Sequence, residues 1–113
     1  MAKAGASPPR LGEVEQLVLL ALLRLGREAY AVPIRELIAA EARISLTRAT
    51  IYITLDRLEK KGLLESTFSA PTRAPGGKAR RMFRLRPEGL TALRAARDAA
   101  YRLARGTLLE KGS

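Results

Sequence analysis

The 113-residue sequence has no cysteine and no histidine. Together these absences exclude disulfides, zinc-finger ligation and any Cys–His or Ser–His nucleophile pair within the chain. Tryptophan is missing too, and aromatic residues make up only 4%. Acids are scarce, eleven against 21 bases, for a formal net charge of +10 and a pI near 11.1. The longest strongly apolar run, Leu17 to Leu23, is far shorter than the ~20 residues that cross a bilayer. No membrane partner is expected. The first ten residues, "MAKAGASPPR", hold no apolar stretch of the secretory kind and read as a flexible basic arm. The lack of cysteine fits a cytoplasmic location.

Without histidine, only carboxylate or lysine chemistry remains for catalysis, and most of the acids fall on exposed helix positions. "APGGK" at 74–78 resembles a phosphate loop only faintly. It lacks both the strand–loop–helix context and a Ser or Thr after the lysine. An enzyme is not expected, nor is a metal or cofactor.

What the chain does have is 47% hydrophobic residues, enough for one core. Its positive charge lies to one side. The first 45 residues carry six bases and five acids, a net +1, and the remaining 68 carry fifteen and six, a net +9. A one-sided basic excess is the footprint expected of a polyanion partner.

Residues 11–25, "LGEVEQLVLLALLRL", read as a helix. Leu11, Val14, Val18 and Leu22 form one stripe, and Leu17, Leu19, Leu20 and Leu23 cover most of the rest. Glu13 and Glu15 suit its N-terminal dipole, and Gly26 ends it. A helix apolar nearly all round must be buried on more than one side. In so small a domain one of those sides is expected to face a second chain. Pro33 opens a second helix with Ile34, Leu37 and Ile38 inward. Thr47 caps a third, which runs to about Lys61 with Ile51, Leu55 and Leu58 inward and stops at Gly62. Two helices joined by a short turn make a helix-turn-helix.

Next, "LLESTF" (63–68) and "RRMFRL" (80–85) alternate as two strands of a hairpin, with Leu64, Phe68, Phe83 and Leu85 on the inner face. The loop between them, 69–78, is rich in Pro and Gly. Pro87 and Glu88 open a last helix, on which Leu90, Leu93, Arg97, Ala100, Tyr101, Ala104 and Leu108 recur at spacings of three and four. The fold class is α+β, mostly α: a winged helix-turn-helix over 11–86 and a C-terminal helix over 87–113.

"GEVEQLVLL", Ala29-Tyr30, "TIYITLDRLEKKGLL" (50–64) and "MFRLRPEGLTAL" (82–93) together resemble the PadR-like family of bacterial transcriptional regulators. The resemblance implies a homodimeric, double-stranded-DNA-binding repressor, cytoplasmic and nucleoid-associated, dimerised through its first and last helices. Expected interface residues are Leu11, Val14, Val18, Leu19 and Leu22 on the first, and Leu90, Leu93, Arg97, Ala100, Tyr101, Ala104 and Leu108 on the last. An unknown small-molecule effector is among the implied partners. With no Trp, an aromatic-stacked drug like those bound by some small family members is not expected. Arg86 stands where the family usually has Thr, so the last helix should lack a side-chain cap.

In a helix-turn-helix, the N-terminal part of the third helix enters the major groove. Arg48 suits guanine, Thr50 and Thr54 a base edge or thymine methyl, and Ile53 an apolar contact. Thr47 and Arg57 flank them. Tyr52 either contacts phosphate or packs against the second helix. In the wing, Arg73, Lys78, Arg80 and Arg81 are expected on phosphate or in the minor groove, whereas Arg84 faces Glu65 and Arg86 is not assigned to DNA. The competing class is a basic RNA- or ribosome-associated protein. Sequence-specific RNA readers, however, usually expose aromatics, and Phe68 and Phe83 read as buried.

Overall fold

The computed structural model describes residues 7–70 and 79–111. Arg73 and Lys78, and most of the arm and of the wing loop, lie outside the described residues.

Helix α1 spans Glu13–Leu25. The Glu15 carboxylate reaches back to accept the Gly12 N–H at 2.8 Å, the returning half of a capping box. At the other end Gly26 takes φ 60°, a conformation L side chains resist. Helix α2 spans Ala31–Leu37 and continues through one widened turn, Ile38–Ala42. Arg43 ends it in the left-handed region. Arg35 Nε donates to the Leu46 carbonyl at 2.7 Å and ties this turn down. Helix α3 spans Arg48–Lys60, and Thr47 Oγ1 accepts the Thr50 N–H at 3.0 Å, as the capping argument requires. Gly62 at φ 77° turns the chain into the hairpin.

Strands β1 (Leu64–Phe68) and β2 (Arg81–Leu85) pair antiparallel, with Leu64 opposite Leu85 and Ser66 opposite Phe83. The Phe83 N–H also donates to the Ala29 carbonyl at 2.8 Å, so β2 is held on its second edge by the α1–α2 connection. Helix α4 runs Pro87–Ala104, with Pro87 in its first turn and no side-chain cap from Arg86. Gly89 lets it seat closely: a Cβ there would stand 2.2 Å from the Leu63 carbonyl oxygen. Gly106, at φ 77°, separates α4 from a short α5, Leu108–Lys111, so the final segment is not one continuous helix.

The core is built from all of these but α5. Val18, Leu19, Ile34, Ile51, Leu55, Leu58, Leu63, Leu64 and Phe83 are nearly inaccessible, and Leu93 brings α4 onto them. Four residues expected at a dimer interface are therefore corrected. Val18, Leu19, Leu22 and Leu93 are consumed by the chain's own core. The all-round apolar helix still leaves a second face open, but it is Leu20 and Leu23 that occupy it. Phe68 is also corrected. It keeps the inner-face register, but β1 outruns the core and leaves it 71% exposed. Among the described residues, no helix is long and apolar enough to cross a membrane.

Candidate nucleic-acid interface

Burying Ile51, Leu55 and Leu58 turns the opposite side of α3 to solvent. Arg48, Ala49, Tyr52, Ile53 and Arg57 are exposed there, and Thr50 is half-buried. Tyr52 therefore does not sink into the second helix. Thr54 is a correction: it is 4% exposed, and its hydroxyl donates to the Thr50 carbonyl at 2.7 Å. The residue shares the Ile51–Leu55–Leu58 side by 3.6-residue geometry, and its one donor is spent within the helix. The Thr47 hydroxyl donates to Thr50 Oγ1 at 2.9 Å, so the cap also orients the Thr50 side chain.

Of the wing residues expected on DNA, the two within the described residues, Arg80 and Arg81, differ. Arg80 is exposed, and its guanidinium lies 4.5 Å over the Tyr30 ring. Arg81 points inward. Its Nη2 pairs with Glu59 at 2.8 Å and Asp56 at 3.0 Å, and its guanidinium stacks 4.9 Å from the Phe83 ring. Burial acts to lower the Arg81 pKa, but hydrogen bonds to Glu59 and Asp56 and their charges outweigh it and hold the pKa raised. Arg84 pairs with Glu65 across the strands, as its facing predicts. Arg86 bridges Glu65 at 3.5 Å and Glu88 at 3.3 Å.

The resulting surface is uneven in charge. Arg48, Arg57, Lys60 and Arg80 have no carboxylate within ion-pair distance among the described residues, so their charge is free to meet an anion. Arg81, Arg84 and Arg86 are spent internally. No group of three or more Asp or Glu that could hold a metal occurs among the described residues.

A second pair lies behind this surface. Lys61 Nζ meets Glu15 at 2.8 Å and joins the end of α3 to the start of α1. Burial pushes the Glu15 carboxyl up, but the bonds from Lys61 and the Gly12 amide, with the charges of Lys61 and Arg57, hold it below the ordinary carboxylate range. The sequence reading placed Glu15 on the helix dipole and missed this partner. Contact across 46 positions leaves no local pattern.

Three helices, a two-stranded wing and exposed bases on α3 and at the wing root define a winged helix-turn-helix protein. Residues 19–95 match the model of the transcriptional regulator PadR-like family, and the chain belongs to that family, one of regulators rather than enzymes. A PadR family regulator structure from Eggerthella lenta is 33% identical, covers 83% of this chain and 81% of its own, and superposes with a TM-score of 0.63. A PadR family transcription regulator from Clostridium difficile has 22% identity and a TM-score of 0.71, with coverages of 90% and 100%. Bacillus subtilis PadR, solved in complex with operator DNA, has 21% identity and a TM-score of 0.60, over 74% of this chain and 47% of its own. No curated protein sequence matches the chain.

Proposed function

We propose that this chain binds double-stranded DNA sequence-specifically and represses transcription as a homodimer on an inverted-repeat operator. The observation that carries the reading is the set of exposed side chains on the solvent half of α3, namely Arg48, Tyr52, Ile53 and Arg57, together with the exposed Arg80 at the wing. Helix α3 would lie in the major groove, where Arg48 can read guanine in bidentate fashion and Ile53 can meet a thymine methyl. Tyr52, Lys60 and Arg80 suit phosphate. The operator complex of the Bacillus subtilis relative supports DNA as the partner.

Self-association is supported by apolar side chains the chain cannot cover. Leu20 and Leu23 face outward from α1, while Tyr101, Leu103, Leu108 and Leu109 face outward from α4 and α5. Of the expected interface, Leu11, Val14 and Leu90 are half-buried, and Arg97, Ala100, Tyr101, Ala104 and Leu108 remain available. A two-fold dimer presents two copies of α3, which favours half-sites about one helical turn, roughly 10 base pairs, or a multiple apart.

Selection of bound genomic fragments followed by footprinting tests the reading. Inverted repeats should emerge, and deletion of the gene should raise transcription beside them. Full affinity for one isolated half-site, or a fall in transcription, would contradict the dimeric repressor. The exposed Tyr52 and Phe68 also keep an RNA partner in play, since stacking on aromatics is how single-stranded RNA is read. Competition by structured RNA equal to that of duplex DNA would favour that alternative.

A further inference from the structure

Two acids on a DNA-reading helix are costly. Asp56 and Glu59 stand three residues apart on α3, where like charges are neighbours that repel, and both would repel phosphate. Their partner explains their presence. Arg81 Nη2 lies 3.0 Å from Asp56 Oδ1 and 2.8 Å from Glu59 Oε1. Ser66 on β1 closes the cluster: its hydroxyl lies 3.0 and 2.9 Å from the two Glu59 oxygens and accepts from Arg81 Nε at 3.3 Å. The Phe83 ring, buried in the core, supports the guanidinium from one side. One planar cation thus joins α3 to both strands.

We propose that Arg81, with Asp56 and Glu59, is a positioning clamp that fixes the wing's angle to the recognition helix, and that Arg81 is not itself a phosphate ligand. The inference rests on the DNA-binding reading above. A two-stranded hairpin is marginal alone, and a binding constellation keeps its geometry only when supporting side chains lock it. The neighbouring Arg80 marks the contrast. It stacks on Tyr30, has no acidic partner among the described residues, and stays available to DNA.

The clamp and a plain phosphate contact predict opposite signs. The double variant Asp56→Asn/Glu59→Gln removes two negative charges from a DNA-facing helix. By charge alone it should bind duplex DNA more tightly. If the acids hold the wing through Arg81, specific affinity should instead fall severalfold, with thermal midpoint and helical circular dichroism kept. Glu65→Gln removes an acid from the same hairpin without touching α3, and its affinity should hold or rise. Arg81→Glu should weaken binding, and adding Glu59→Arg should restore much of it. The inference is overturned if the double variant binds as well as or better than the unmutated protein, or if the charge swap stays as weak as Arg81→Glu alone. If the unmutated protein shows no salt-dependent affinity for duplex DNA, the function falls and the clamp falls with it, an outcome read before any variant is made.

Discussion

Helix α3 and the outer part of α4 carry similar numbers of apolar and basic side chains, yet they end in opposite surroundings. Ile51, Leu55 and Leu58 reach 0% exposure because α1, α2 and the hairpin close over them. Beyond Leu93, α4 leaves the body of the domain, and Tyr101 and Leu103 stand in solvent, the latter 84% exposed. Apolar periodicity specifies a helix and a face. What covers that face depends on how far the helix runs alongside its neighbours.

The sharpest way to break this contrast is truncation on each side. Leu55→Ala should cost about 2–5 kcal/mol, the usual range for a core leucine, read by urea unfolding. Leu103→Ala should change the stability of the dissociated chain by less than about 0.5 kcal/mol but weaken self-association in sedimentation. Equal losses in unfolding would show that the outer helix is packed within one chain after all.

A second test adds volume where α4 is rooted. Gly89→Ala would push a Cβ toward the Leu63 carbonyl oxygen and the Leu85 side chain. Overpacking of this kind costs about 1–3 kcal/mol, seen as a lower thermal midpoint. A methyl added in the outer half has no such wall to meet. If Gly89→Ala is tolerated, the root is looser than the geometry implies.

Smaller effects sharpen the description of α3 itself. Thr47→Ala removes the cap bond to Thr50 and should cost about 1 kcal/mol, while also freeing the Thr50 hydroxyl. Base readout should then suffer more than non-specific affinity in a DNA titration.

The smallest expected effect depends on pH. The folded-state pKa of Glu15 is depressed, so its contribution is present above the ordinary carboxylate value of about 4.3 and is lost as pH falls through the folded value. Glu15→Gln should therefore be less stable than the unmutated protein at neutral pH. The gap should narrow as pH drops below about 4.3. A constant gap across that range would mean that packing, and not charge, holds α1 to α3.

Much of the fold was legible because its signals are local. Thr47, Gly26, Gly62 and Pro87 each stand where a helix begins or ends. Strand alternation placed Phe83 inward and faced Arg84 to Glu65. The interface was legible only in outline. Helical geometry exposed Arg48, Ile53 and Arg57 correctly but could not show that Thr54 turns inward, because a threonine suits either environment. Nor could charge counting separate Arg80 from Arg81. Adjacent in sequence, they differ because one meets a tyrosine and the other two acids brought from α3, a long-range matter. Among apolar positions, Val18 and Leu19 could not be told from Leu20 and Leu23 on a helix leucine-rich all round.

The tight seat of Gly89 gives α4 a fulcrum. From Gly89 to its end at Ala104, at 1.5 Å per residue, the arm is about 23 Å, so a tilt of about 10° at the root sweeps the far end through about 4 Å. Two chains joined at their far ends would convert such a tilt into a change in the spacing between their recognition helices. On the inverted-repeat operator proposed above, that spacing would have to match the pitch of the double helix, and the reach of the pair along DNA would be set some distance from any atom that touches it.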